Sequence, residues 1–227
     1  MVLIVGSTKG GVGKTTIAFN FTVALSLAGR DVLLVDADTQ ATAMTNTQLR
    51  TERLGAAGFT SVALYGQAII MQTPRLAAKY ADVIIDVGGR DNPSLRSALL
   101  LPNATLLIPV KPRSYDLWGA EDSAALVLEA RARGNLTLRA ITVLNEADHL
   151  QEGDNAGAAA ELRDLEGVEH APMRLVRRKA YPNASAMGLS VVEYTDAKAS
   201  EELSNLLAFV HPKYKAGVHS DGSRKKA

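Results

Sequence analysis

Lys9-Gly10-Gly11-Val12-Gly13-Lys14-Thr15-Thr16 follows directly on the apolar run Val2-Leu3-Ile4-Val5 and leads into a stretch with helical character. A glycine-rich turn between a strand and a helix N-terminus aims several backbone N–H groups at one point, and the helix dipole adds to their pull on an anion. In such a loop Lys14 reaches the β- and γ-phosphates and the Thr15 hydroxyl is offered to Mg²⁺, while Gly10, Gly11, Val12, Gly13 and Thr16 complete the cradle. Lys9 is a second lysine that an ordinary phosphate loop does not need. The general pattern G-x-x-x-x-G-K-[ST] asks for its first glycine at the position of Thr8, and the nearest upstream glycine is Gly6. A glycine-rich turn with chance lysines is the competing reading. Strand, loop and helix in the order the chemistry requires argue against it.

The rest of the chain repeats the strand–helix alternation. Apolar runs predict strands at 2–6, 31–35, 82–87, 104–109 and 139–144, with weaker candidates at 60–64 and 171–175. Helices are expected near 14–28, 40–53, 73–80, 93–101, 115–133, 157–166, 178–187 and 196–210. Runs such as Val32-Leu33-Leu34-Val35 are apolar on both faces, as in parallel strands covered by helices. The expected fold is therefore α/β, a doubly wound and mostly parallel sheet flanked by helices, with its ligand at the carboxyl ends of the strands.

At 227 residues and 47% hydrophobic composition the chain suits a single domain, expected over 1–210, with a basic tail over 211–227. A net charge of +1 makes no demand for nucleic acid or membrane, so any DNA contact needs a local patch. The absence of cysteine excludes disulfides, a thiol nucleophile and a thiolate-held iron–sulfur cluster. No segment approaches the roughly 18–20 apolar residues that span a bilayer, and no secretory signal is visible. A cytoplasmic protein is expected.

Two further stretches carry carboxylates at strand ends. Asp36-Ala37-Asp38-Thr39-Gln40 closes the second strand, where Asp38 or Thr39 also reads as a helix cap. Asp82-Val83-Ile84-Ile85-Asp86-Val87-Gly88-Gly89 ends with a carboxylate on a buried strand. A lone buried carboxylate is costly, and a Mg²⁺-bound water is the natural partner for Asp86. Gly88 and Gly89 let backbone amides approach a γ-phosphate and lose it after hydrolysis, although a bland turn has the same composition.

With these motifs in order, the chain resembles the ParA/MinD family of ATPases from residue 2 to about 210, and most of all their small plasmid-partition members. Its K-G-G-x-G-K-T-T loop is the deviant phosphate loop of that family. Ile108-Pro109-Val110-Lys111-Pro112 fits the same order. The resemblance implies that Lys9 crosses a dimer interface to the partner's ATP, that Asp38 orients the attacking water, and that Asp36 and Asp86 support Mg²⁺ with Thr15. Thr39 and Ala41 depart from the family's usual proline and glycine, which puts the loop's shape in question. Asn145 stands where relatives carry a base-reading asparagine; a loop-capping role competes. Asn145-Glu146-Ala147-Asp148 also partly echoes the N-K-x-D segment of GTPases, with Glu146 in place of the lysine, and ATP is expected over GTP.

Arg174, Arg177, Arg178 and Lys179, with Arg224, Lys225 and Lys226 in the tail, are either solvated surface or a DNA patch. The resemblance favours nonspecific, nucleoid-associated DNA binding by an ATP-dependent homodimer, with a centromere-binding adaptor protein stimulating hydrolysis. No sequence-specific operator reading is expected, since the phosphate loop begins almost at residue 1. In the helix from about Ser114, Leu117, Trp118, Ala124, Ala125, Leu126 and Leu128 read as core or dimer packing. A MinD-like membrane regulator would need a basic amphipathic final helix, whereas Glu201-Glu202 opens an acidic one. A related cargo-positioning or conjugation ATPase, or a nonenzymatic ATP-gated DNA scaffold, would share these motifs.

Overall fold

The structure, a computed structural model, describes residues 1–214. Seven strands form one parallel sheet: β1 (Val2–Val5), β2 (Val32–Ala37), β3 (Thr60–Ala63), β4 (Asp82–Val87), β5 (Ala104–Val110), β6 (Arg139–Ala147) and β7 (Glu169–Val176), in the order β3-β2-β4-β1-β5-β6-β7. Both weaker strand candidates are present, one at each edge. Consecutive residues of the central strands serve opposite cores, as the two-sided apolar runs require. Ile4, Leu33, Ile85, Leu106 and Ile108 face one core, and Leu3, Leu34, Ile84, Leu107 and Ile141 face the other.

The first core is covered by α3 (Gln67–Ala77), α4 (Pro93–Leu99), α5 (Ser114–Ala132) and α6 (Glu152–Arg163). The second takes α1 (Lys14–Leu27), α7 (Ala180–Ser185) and α8 (Ala197–Val210), while α2 (Thr42–Leu54) contributes Ala43. Helix α1 is apolar nearly all round because it is enclosed by sheet and helices. Its one buried amide, Asn20, is satisfied: Nδ2 donates to Thr16 O, and Oδ1 accepts from Ser190 Oγ and Val191 N–H.

Boundaries differ where proline and glycine mislead. Pro74 suggests a helix start near 73, but α3 begins at Gln67 and carries Pro74 inside it. Helix α6 likewise starts at Glu152 rather than 157, and β6 runs three residues past 144, to Ala147. The expected tail begins at 211, yet His211 and Tyr214 are buried. His211 Nε2 donates to Asp82 at 2.9 Å, and Arg30 binds the same carboxylate. The basic residues Arg224, Lys225 and Lys226 lie outside the described residues.

The order of strands places β1 between β4 and β5, where the chain changes its direction of winding. The loops leaving β1, β2, β4 and β6 converge there, on the crevice such sheets use for ligands.

Candidate functional site

The loop between β1 and α1 needs two left-handed glycines, Gly11 at φ 72° and Gly13 at φ 89°. A Cβ on Gly13 would collide with the Asn145 amide. Asn145 Nδ2 donates to Val12 O at 2.7 Å, so this side chain ties the end of β6 to the phosphate loop, and the residue lines the adjoining cavity. Lys14 is buried, and its ammonium donates to Lys9 O at 2.8 Å. Burial lowers its pKa, and the charges of Asp86 and Asp38 oppose that shift.

Asp36 and Asp86 are direct neighbours in the β2–β4 register, and Asp86 also pairs with Val5 of β1. Their surroundings differ. Asp36 accepts from the Asp38 and Met44 amides at 3.1 and 2.9 Å. Burial raises its pKa and those amides hold it back. This carboxylate therefore anchors the start of α2. Asp86 is fully buried, and neither of its oxygens has a hydrogen-bond partner among the described residues. Burial pushes its pKa up to about 7, with Asp36 and Asp38 adding to the rise and Thr15 and Lys14 opposing it; the Thr15 hydroxyl lies beside it without ordinary hydrogen-bond geometry. Leaving a buried carboxylate unpaired costs several kcal/mol unless something binds it (about 3–5 by comparison with broken buried pairs). A divalent cation beside Thr15 would supply that partner, so the donor set fits Mg²⁺.

Asp38 rests on Gly88: a Cβ there would lie 3.0 Å from its carboxyl carbon. Its Oδ1 accepts from the Gln40 amide at 3.0 Å. Gly89 packs still more closely, with a built Cβ 2.8 Å from Gly10 Cα. The next residue, Arg90, donates its amide to Thr8 O at 2.8 Å from a left-handed backbone, φ 77°. Helix α5 grips the front of the loop from the other side. Thr8 bonds Ser123 Oγ and Gly119 O, and a Cβ on Gly119 would lie 2.9 Å from Lys9 Cβ. Loop, Asp38, Gly89 and Arg90 enclose a cavity of about 950 Å³.

A second cavity of about 330 Å³ adjoins it, bounded by Gly13, Thr16, Asn145, Glu146, Arg177, Arg178 and Tyr181. Glu146 is held by Lys111 at 2.8 Å. Tyr181 and Ser185 on α7 hold buried hydroxyls without partners among the described residues. Asp148, the residue of the GTPase echo, accepts from the Leu150 amide and lines neither cavity. Of the expected basic cluster, Arg174 is paired with Glu152 and Arg178 with Glu202, leaving Arg177 and Lys179 exposed. On α5, Leu117, Ala124 and Leu126 are buried, whereas Trp118 is 58% exposed and stacks edge-on against Tyr115.

Arg90, Gly119, Tyr181 and Ser185 were not singled out from sequence. Arg90 has a signal, a charged residue directly after the Gly88-Gly89 pair. The others belong to ordinary helical stretches. Among the described residues no helix is long and apolar enough to cross a membrane.

The family model for the CobQ/CobB/MinD/ParA nucleotide binding domain matches residues 3–211. The chain is 30% identical over 215 residues to the maintenance of carboxysome distribution protein A of Halothiobacillus neapolitanus, covering 92% of this chain and 96% of that one. In structure it resembles the McdA–ATP complex from Cyanothece, with a TM-score of 0.75, 15% identity, and coverage of 94% of this chain and 97% of that one. A plasmid partition protein from Borrelia burgdorferi gives a TM-score of 0.68, 18% identity, and coverage of 94% and 98%.

Proposed function

Since this chain belongs to the CobQ/CobB/MinD/ParA nucleotide-binding family, we propose that it is an ATP-hydrolysing positioning switch that binds DNA nonspecifically as an ATP-dependent homodimer. The observation that carries the reading is Asp86: a buried carboxylate with both oxygens unpartnered, beside Thr15 and Lys14, which line the larger cavity. Loop amides and Lys14 hold the β- and γ-phosphates, Asn145 Oδ1 accepts from the adenine amino group, and Asp38 orients a water toward the γ-phosphorus. Mg²⁺, when bound through Thr15 and Asp86, with Asp36 in support, offsets phosphate charge. Water adds to the γ-phosphorus as the bond to the β-phosphate oxygen breaks, giving ADP and inorganic phosphate. Lys9 neutralises phosphate charge across the dimer, so the closed dimer binds ATP better than the monomer does; without that difference nothing would switch.

Similarity along nearly the whole length to a carboxysome distribution protein supports a cargo-positioning role. DNA partition through a centromere-binding adaptor is the second reading, favoured by likeness to the Borrelia fold. In either, an adaptor on the cargo stimulates hydrolysis, and the exposed Arg177 and Lys179, doubled in a dimer, face DNA. Sedimentation and turnover with ATP, ADP and GTP, each with and without nonspecific DNA, test the proposal. ATP-specific dimers that bind DNA and turn over are expected; a monomer indifferent to all three nucleotides refutes it.

A further inference from the structure

Arg90 lines the larger cavity together with Lys9, Lys14 and Asp38. Its backbone sits at φ 77°, a conformation that costs a residue with a Cβ about 1–2 kcal/mol and that the two preceding glycines would adopt freely. Placing an arginine there is a local expense of the kind found where a side chain has work to do. The strained turn is held from both sides. The Arg90 amide donates to Thr8 O at 2.8 Å, and Asn92 Nδ2 donates to the carbonyls of Arg90 and Gly88 at 3.0 and 3.3 Å.

The guanidinium itself has no hydrogen bond or ion pair with a described residue. The adjacent carboxylate does not neutralise it, because Asp91 is gripped by Arg96 through two bonds of 2.7 and 2.6 Å, and Arg96 also holds Glu129. Arg96 keeps Asp91 below the ordinary carboxylate range. Glu146, across the cavity, is committed to Lys111. Arg90 is exposed and lines the polar cavity with its planar fork of N–H donors uncommitted, and such a fork matches the oxygens of a phosphate.

We propose that Arg90 contacts the terminal phosphate of the bound nucleoside triphosphate from the switch side, and so lets the chain distinguish triphosphate from diphosphate. The position follows from the neighbours. Gly88, two residues earlier, lies against Asp38, and Gly89 lies against the phosphate loop at Gly10, so Arg90 leaves the chain beside the residues assigned to the reacting end of the nucleotide. Lys14 comes from the helix side and Lys9 serves the partner's nucleotide; Arg90 is a third cation, carried by the segment expected to move on hydrolysis. This inference rests on the reading of the cavity as a nucleotide site.

The test compares the full chain with Arg90→Gly, Arg90→Lys and Arg90→Ala, measuring Mg²⁺-dependent binding of ADP and of the non-hydrolysable analogue AMPPNP, ATP turnover, and thermal stability. Arg90→Gly should keep ADP affinity, weaken AMPPNP roughly 10- to 100-fold, the value of a charge-assisted hydrogen bond, and slow turnover. Its Tm should hold or rise, since glycine relieves the strained turn. Arg90→Lys should recover part of the AMPPNP preference, and Arg90→Ala should match Arg90→Gly on ligands while losing stability relative to it. Native-like AMPPNP affinity and turnover in Arg90→Gly would overturn the assignment, because the backbone alone would then have sufficed. Equal losses of ADP and AMPPNP would also overturn it. A native chain that binds neither nucleotide refutes the nucleotide site itself, and this assignment with it.

Discussion

Single residues divide the labour at the phosphate end, and substitutions should separate them. Lys14 is the buried ammonium of the loop; Lys14→Ala should weaken ATP about 100-fold by titration calorimetry, on the scale of a lost charge-assisted contact. Asp38 is different because its carboxylate leans on the switch rather than into the loop. Asp38→Ala should retain ATP and accumulate dimers, with turnover reduced about 100-fold in a steady-state assay. Wild-type turnover would remove it from the role of water positioner. Ala41 supplies a test unrelated to ligand. It caps α2 in a left-handed conformation, φ 52° and ψ 34°, which glycine adopts without strain. Ala41→Gly should raise stability by about 1 kcal/mol, or roughly 2–4 °C in Tm, read by thermal unfolding. The carboxylates Asp36, Asp38 and Asp86 were legible in the sequence because strand ends are local features. That Asp36 is consumed by backbone amides while Asp86 stays bare was not, since only folding reveals which of two adjacent carboxylates the next helix captures.

At the scale of elements, the sheet was legible almost strand for strand. Its inner strands β2, β4 and β5 are buried along their whole length and read as continuous apolar runs, whereas the edge strands β3 and β7 are part exposed and give weaker signals. Helix starts were less legible. Pro74 advertises a first turn yet sits late in α3, and α6 opens on Glu152 and Gly153, which carry no apolar period. What escaped altogether is the clasp between α5 and the phosphate loop, since Gly119 and Ser123 touch Thr8 and Lys9 across more than a hundred residues of chain. This clasp makes an unusual prediction. Glycine to alanine within a helix ordinarily stabilises it by about 1 kcal/mol. At Gly119 the added methyl would lie 2.9 Å from Lys9 Cβ, at the root of that side chain rather than its flexible end, so Gly119→Ala should forfeit the usual gain or lose stability as Lys9 is displaced. ATP-dependent dimerisation, followed by sedimentation, should drop. Dimers of normal affinity would show that Lys9 tolerates the displacement.

Across the whole molecule, the floor of the sheet is fastened as firmly as its ligand edge is left open. Asp82 begins β4, is completely buried, and binds both His211 beyond the final helix and Arg30 before β2. Burial alone would raise its pKa; hydrogen bonds from His211 and Arg30 outweigh that and hold it well below the usual carboxylate range. A depressed carboxylate adds stability above the unfolded value, about 3.9, and loses it as pH falls toward the folded one. Asp82→Asn should therefore cost about 3 kcal/mol at pH 7, and the gap to the native chain should narrow as pH falls below about 4. Urea midpoints at pH 7 and pH 3 measure both.

The two ends of the sheet carry a further consequence. One border strand, β3, is four residues long, and the other, β7, slips register against β6 twice. Neither offers a long, regular row of free amides and carbonyls on which another chain could template itself. On the proposed reading, copies crowded along DNA should meet at high local concentration without zipping together border to border. Their encounters are left to surfaces that a nucleotide can govern, and an assembly of that kind can be dismantled as readily as it is built.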